Sequence, residues 1–123
     1  MKFRVARHTT DLQLIIDFYT QLLELEILGS FENHSAYDGV FLGKKGLDWH
    51  LEFTTSSEAP VHHPDEDDVL VFYAQNSSEF NRIKANFDLN KQLPVLAKNP
   101  YWNQHALTYL DPDGFRVVVV PPA

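Results

Sequence analysis

The stretch His105-Ala106-Leu107-Thr108-Tyr109-Leu110-Asp111-Pro112-Asp113-Gly114-Phe115-Arg116-Val117-Val118-Val119-Val120 holds two β-rich runs around a four-residue turn. Pro112 presets φ at the first central position, the Asp111 side chain can accept from the turn backbone, and Gly114 relieves the exit. Such a run predicts a β-hairpin. A similar arrangement closes the first half of the chain, where Val40-Phe41-Leu42-Gly43 and Trp49-His50-Leu51-Glu52-Phe53 flank Lys44-Lys45-Gly46-Leu47-Asp48.

Sliding the chain along itself until Gly46 falls on Gly114 also sets Thr9-Thr10-Asp11-Leu12 on Ser77-Ser78-Glu79-Phe80. Both segments read as helix starts, with a hydroxyl residue able to cap, an acid that favours the dipole in the first turn, and an apolar residue. Leu12, Ile15, Ile16, Tyr19, Leu22 and Leu23 then follow helical spacing, and Phe80, Ile83 and Phe87 do so more sparsely. Each half is expected to run strand, helix, then three strands, although two short matches also arise by coincidence.

In this order of elements the chain resembles the vicinal oxygen chelate superfamily, which includes glyoxalase I, bleomycin-resistance proteins and extradiol dioxygenases. The resemblance rests on Asp11-Leu12 through Ile16-Asp17-Phe18-Tyr19 with Leu22-Leu23-Glu24-Leu25, on Leu51-Glu52-Phe53, and on Asp111-Pro112-Asp113-Gly114-Phe115. A bacterial subgroup of glyoxalase-like proteins carries similar NPYW and YDGV segments. The resemblance implies an α+β fold of two βαβββ modules that form a cupped mixed β-sheet with the helices on its convex side. One glyoxalase-like domain, 1–123, is expected, with module 1 at 1–56, a linker at 57–66 and module 2 at 67–123. Related chains pair, so a homodimer is expected too. The superfamily hosts lyases, isomerases, dioxygenases and binding proteins, so the fold leaves the function open.

Composition narrows the classes. The chain of 123 residues, 44% hydrophobic, suffices for one core. With no cysteine there is neither a disulfide nor a thiolate nucleophile or ligand, and a cytoplasmic setting is the expectation. Met1–Arg7 lacks an apolar signal core, and no apolar run approaches the ~20 residues of a membrane helix. A net charge of −7 disfavours nucleic acid and favours neutral or cationic small molecules. His62 and His63, followed by Asp65-Glu66-Asp67-Asp68, are expected to lie in a solvated linker rather than in a metal site.

In metal-dependent members of the superfamily the cup carries up to four ligands, and the local motifs carry these positions onto Arg4, Glu52, Val69 and Val118. Only Glu52 has a ligand's chemistry, because arginine keeps its proton and valine has no lone pair. No resident metal or other cofactor is therefore expected. A register shift of two residues preserves facing on a strand and brings in His8 and His50, so a site rebuilt from His8, His50 and Glu52 is the alternative. Arg4 either enters the cup and bonds Glu52 bidentately, replacing the metal's charge, or lies exposed at a strand end and leaves Glu52 as the only charge there.

Alternation on the fourth strand sets His50 and Glu52 on one face and Trp49, Leu51 and Phe53 on the other. His50 and Glu52 are the one acid–base pair assignable to the cup, so they are the candidate catalytic residues. The remaining candidates, all for ligand binding, are Arg4, His8, Tyr37, Tyr73, Asn99, Tyr101 and Trp102, the aromatics supplying flat apolar walls or serving as ordinary core. No serine sits in a nucleophile elbow. Three readings follow: a metal-independent small-molecule binder, which leads; a lyase, isomerase or dioxygenase using a divalent metal or the His50/Glu52 pair; and a structural or partner-binding protein.

Overall fold

A computed structural model describes residues Met1–Ala123, which divide into two compact units, Met1–Val61 and His62–Ala123. The fold is mixed α+β, with one mixed sheet in each unit. No helix is long and apolar enough to cross a membrane.

The first unit follows the expected βαβββ order: β1 (Phe3–His8), α1 (Leu12–Asp17), β2 (Glu26–His34), β3 (Tyr37–Gly43) and β4 (Trp49–Thr55). The sheet order is β1-β4-β3-β2, with β1 parallel to β4 and the other pairs antiparallel. Helix α1 continues into a wider π-type turn over Phe18–Leu22. The extra residue in that turn lets adjacent Phe18 and Tyr19, and adjacent Leu22 and Leu23, all bury, a broader stripe than a 3.6-residue period allows. These residues and Ile15 form the core with Val40, Leu42, Leu51 and Phe53, and the Tyr19 and Phe53 rings meet at 5.1 Å. Each fully buried side chain of this kind contributes about 1.5–3 kcal/mol. Trp49, Leu51 and Phe53 thus face the helix, and His50 and Glu52 lie on the opposite face.

The second unit holds β5 (Val69–Tyr73), α2 (Ser77–Leu89), α3 (Tyr101–His105), β6 (Leu107–Leu110) and β7 (Arg116–Val120), in sheet order β5-β7-β6. It has three strands where the sequence predicts four. Where the missing strand would run, only Val95 bridges to Thr108, because Pro94 removes a ladder donor and restricts its predecessor. Phe87 of α2 stacks on Tyr109 at 3.6 Å, over Val117 and Val119 on the same sheet face.

The predicted turn forms as read. Asp111 Oδ1 accepts from the Asp113 and Phe115 amides at 2.9 and 3.0 Å, and Gly114 takes φ +86°. The helix starts differ from the reading. The caps are Asp11, which accepts from the Leu14 amide, and Asn76, which accepts from the Glu79 amide, rather than the hydroxyl residues beside them. Asx side chains reach the third amide as well as Ser or Thr, and Thr9 is drawn into the core instead. The two caps stand three residues out of the register set by Gly46 and Gly114, so the repeat is one of topology, with residues gained and lost between elements. In the connecting stretch His62 is half-buried with its ring edge-on to Phe115 at 5.0 Å, so only His63 of the pair is solvated as expected.

Candidate functional site

The face of the first sheet opposite α1 collects Arg4, Ala6 and His8 from β1, His50, Glu52 and Thr54 from β4, Tyr37, Gly39 and Phe41 from β3, and Phe31 from β2. The register sets Arg4 opposite His50, Ala6 opposite Glu52 and His8 opposite Thr54 on one side, and Phe41 opposite Glu52 on the other. Arg4 therefore reaches Glu52 along a diagonal. Its Nη1 donates to Glu52 Oε1 at 2.8 Å and its Nε donates to His50 Nε2 at 3.0 Å. The contact to Glu52 is a single bond and not the expected fork, because Nε points along β4 to the imidazole.

Phe41 lies under this group. The guanidinium carbon is 5.1 Å from its ring centroid, and His50 meets the same ring edge-on at 5.6 Å. Phe31 adjoins Phe41 at 5.7 Å and covers Gly39 so closely that a Cβ at that position would lie 2.2 Å from the Phe31 ring. Only glycine permits that approach. Neither phenylalanine was singled out from the sequence. Extending the β3–β4 hairpin pairing from the 44–48 loop puts Phe41 opposite Glu52, which is the signal that finds it.

Arg4 Nε is a donor in every state, so His50 Nε2 accepts and the ring proton of the neutral form sits on Nδ1, which has no protein partner. Glu52 is 13% exposed at the side chain and Arg4 is 53% exposed. The carboxylate is thus the inner, held group and the guanidinium the outer one.

His8 belongs to the same face but to another cluster. Its Nδ1 bonds Thr54 Oγ1 at 2.9 Å, and its Nε2 bonds the Glu58 carbonyl and Ser56 Oγ, each at 3.0 Å. A carbonyl accepts only, so Nε2 carries the proton and Nδ1 accepts from the threonine. Tyr37 stands edge-on to the His8 ring at 5.8 Å, and the two line an open cleft of about 330 Å³ with Ala6, Thr54, Ser56 and Ala59.

These donors do not fit a divalent ion. His8 stands four residues along the ladder from Arg4 and His50, a separation of ~13 Å, so His8, His50 and Glu52 do not close on one centre. The lone pairs of His50 Nε2 and Glu52 Oε1 face a guanidinium, whereas a bound ion needs at least three converging protein donors.

The other sequence candidates lie in the second unit. Val69, Val71 and Tyr73 share a face of β5, with Val69 opposite Arg116 and Val118 opposite Val71, and Tyr73 is exposed. Val69 and Val118 occupy the same diagonal that Arg4 and Glu52 occupy in the first unit. Tyr101 and Trp102 open α3 with their rings perpendicular at 4.9 Å, Tyr101 exposed and Trp102 half-buried. Asn99 Oδ1 accepts from the Tyr101 amide, and Asn103 clamps Ala97 through both its amide and its carbonyl, so these asparagines shape the loop.

Two mixed βα units and the Asp-Pro-Asp-Gly hairpin give the chain the fold of the vicinal oxygen chelate superfamily. Solved structures agree: Leishmania major glyoxalase I superimposes with TM-score 0.73 at 20% identity, covering 96% of this chain and 84% of that one. The fosfomycin resistance protein FosX of Mesorhizobium loti gives 0.71 at 9% identity, covering 98% and 90%. At such identities the likeness is one of fold.

Within that class the chain belongs to the YycE-like family: residues 3–54 match the YycE-like N-terminal domain and residues 67–120 the YycE-like C-terminal domain. The uncharacterized protein YycE of Bacillus subtilis is 42% identical over 120 residues, which are 95% of this chain and 85% of that protein. A crystal structure of a Bacillus subtilis YycE protein, a candidate glyoxalase/fosfomycin resistance protein, gives TM-score 0.86 at 39% identity over 99% of this chain and 90% of that one.

Proposed function

We propose that the protein binds a small molecule on the face of the first sheet opposite α1, and that it does so without a metal. One observation carries this reading: Arg4, at a position the family resemblance assigns to a metal ligand, donates to both His50 Nε2 and Glu52 Oε1, so a cation already engages the donors an ion would need. A second cation placed there would meet that charge at close range. The held side chains and the two half-buried rings of Phe41 and Phe31 support a recognition surface rather than a structural core. A homodimer acting in the cytoplasm belongs to the same proposal, and light scattering at micromolar concentration tests the dimer.

The decisive measurement is titration calorimetry with nickel, zinc and manganese after chelator dialysis, beside a thermal-shift screen of metabolites. The reading expects ligand-dependent stabilisation and no stoichiometric ion. Tight one-to-one metal binding that is lost in Glu52→Gln overturns it.

A second reading, acid–base catalysis by His50 and Glu52, draws support from the His50 Nδ1 proton, which has no protein partner. Turnover of a bound compound that disappears in His50→Gln while binding persists would favour it.

A further inference from the structure

The ligand face is defined by which hydrogen-bonding groups it leaves unsatisfied. A guanidinium has five N–H bonds in one plane. Arg4 engages one on Nε with His50 and one on Nη1 with Glu52, leaving the second Nη1 hydrogen and both Nη2 hydrogens without a protein acceptor. This group is also the outermost of the cluster, with 53% of the side chain exposed against 13% for Glu52. The plane is fixed on three sides, by the imidazole, by the carboxylate and by the Phe41 ring beneath it. A planar fork held in place with its remaining donors outward matches a group with two oxygens and partial or full negative charge.

Beside the fork the surface is apolar and low. Phe41 and Phe31 present half-buried rings 5.7 Å apart, and the positions across from them on the neighbouring strands are Gly29 and Gly39, which raise no side chain above the sheet. With glycines opposite, a flat body can lie against the two rings beside the guanidinium.

Resting on the reading of this face as the ligand site, we infer that its ligand is an oxyanion-headed molecule, a carboxylate or phosphonate, carried on a flat apolar body. The oxyanion sits on the outer edge of Arg4 and the body on Phe41 and Phe31. Glu52 serves as a positioning residue: it holds the guanidinium plane and, being negative, weakens rather than strengthens the hold on the ligand. This sets the local preference against the chain's overall negative charge, and local contact wins because screening limits distant charges to about 8 Å at physiological salt.

The experiment is an amide and arginine side-chain NMR titration of the full chain with four probes of one shape: benzoate, phenylphosphonate, benzamide and benzylammonium. Benzoate or phenylphosphonate should saturate shifts at the Arg4 Nε–H and the Phe31 and Phe41 amides, and which of the two binds more tightly tells carboxylate from phosphonate. Benzamide and benzylammonium should bind about tenfold more weakly or worse. Arg4→Lys, which keeps the charge but loses the fork, should weaken the oxyanion about tenfold, while Glu52→Gln should tighten it a few-fold. The spectra of both variants report whether they remain folded. If benzamide or benzylammonium binds the same resonances as tightly as the oxyanions, or if Glu52→Gln weakens benzoate as much as Arg4→Lys does, the ligand class is wrong and the site reading stands. If no probe saturates at these resonances, both fall.

Discussion

The two units build the same corner of a sheet from opposite chemistry. In the first, a parallel pair of strands carries Arg4 and Glu52 on a diagonal, joined at 2.8 Å, with His50 opposite the arginine. In the second, the same diagonal is Val69 and Val118, and the residue opposite Val69 is Arg116. That arginine turns to the Leu96 carbonyl at 3.0 Å and toward Glu66 at 3.6 Å, tying down connecting segments. An arginine on the first strand of a unit thus organises side chains of the sheet face, whereas one on the last strand organises loops. Duplicated topology fixes where a side chain stands but not what it is used for.

Exchanging residues between the units is the most direct way to break the comparison. Val118 is fully buried, so Val118→Glu should cost 3 kcal/mol or more, read as a lowered melting temperature or denaturant midpoint. The reciprocal Glu52→Val should stay within about 1 kcal/mol, because the partner it strands is half-exposed and remains hydrated. Equal losses would show that the first face is as much a core as the second.

A second exchange concerns the metal. Arg4→His puts an imidazole directly opposite His50 and releases Glu52, giving three donors on adjacent strands. Calorimetry should find zinc or nickel binding at least about a hundredfold tighter than in the parent chain. No gain would mean that strand geometry, and not the arginine, disfavours the ion.

Burial in the second unit has its own titration. The Tyr109 hydroxyl is buried with no hydrogen-bond partner, and desolvation, aided by the charge of Asp88, pushes its pKa up to about 12. The folded state therefore holds the phenolic proton longer than the unfolded chain does. Stability from this group is complete below the unfolded value near 10 and is lost as pH rises through about 12, on the order of 2 kcal/mol. Tyr109→Phe should remove that alkaline loss in pH-dependent unfolding and be near neutral at pH 7, since it deletes an unpaired polar atom and keeps the stack on Phe87. The smallest effect is expected at the helix starts, where Asp11→Ala and Asn76→Ala should each cost about 1 kcal/mol in denaturant unfolding.

How far the sequence reached follows the range of the forces. The hairpins and the facing of Trp49, Leu51 and Phe53 against His50 and Glu52 were legible because turn chemistry and alternation are local. The missing strand near Val95 was not legible as such, although Pro94 stood in plain view, because a repeat invites the same element twice. The exact caps escaped because Thr9 and Asp11 both satisfy a capping rule, and the core decides between them by burying Thr9. At the site, Arg4 and Glu52 were found through the family resemblance. Phe41 and Phe31 were not, since a ring beneath a guanidinium follows from strand pairing that no single strand displays.

The two histidines on the first sheet's face opposite α1 are held in opposite tautomers, His8 with its proton on Nε2, which donates to the Glu58 carbonyl, and His50 with its proton on Nδ1 because Arg4 Nε donates to its other nitrogen. Protonated and bare ring nitrogens resonate far apart, so a nitrogen spectrum of the imidazoles separates the two ends of the face without any label being introduced. A molecule that draws Arg4 away frees the His50 tautomer to interchange and leaves the His8 signal as it was. The face therefore carries its own spectroscopic readout, with one ring as the sensor and the other as the internal reference.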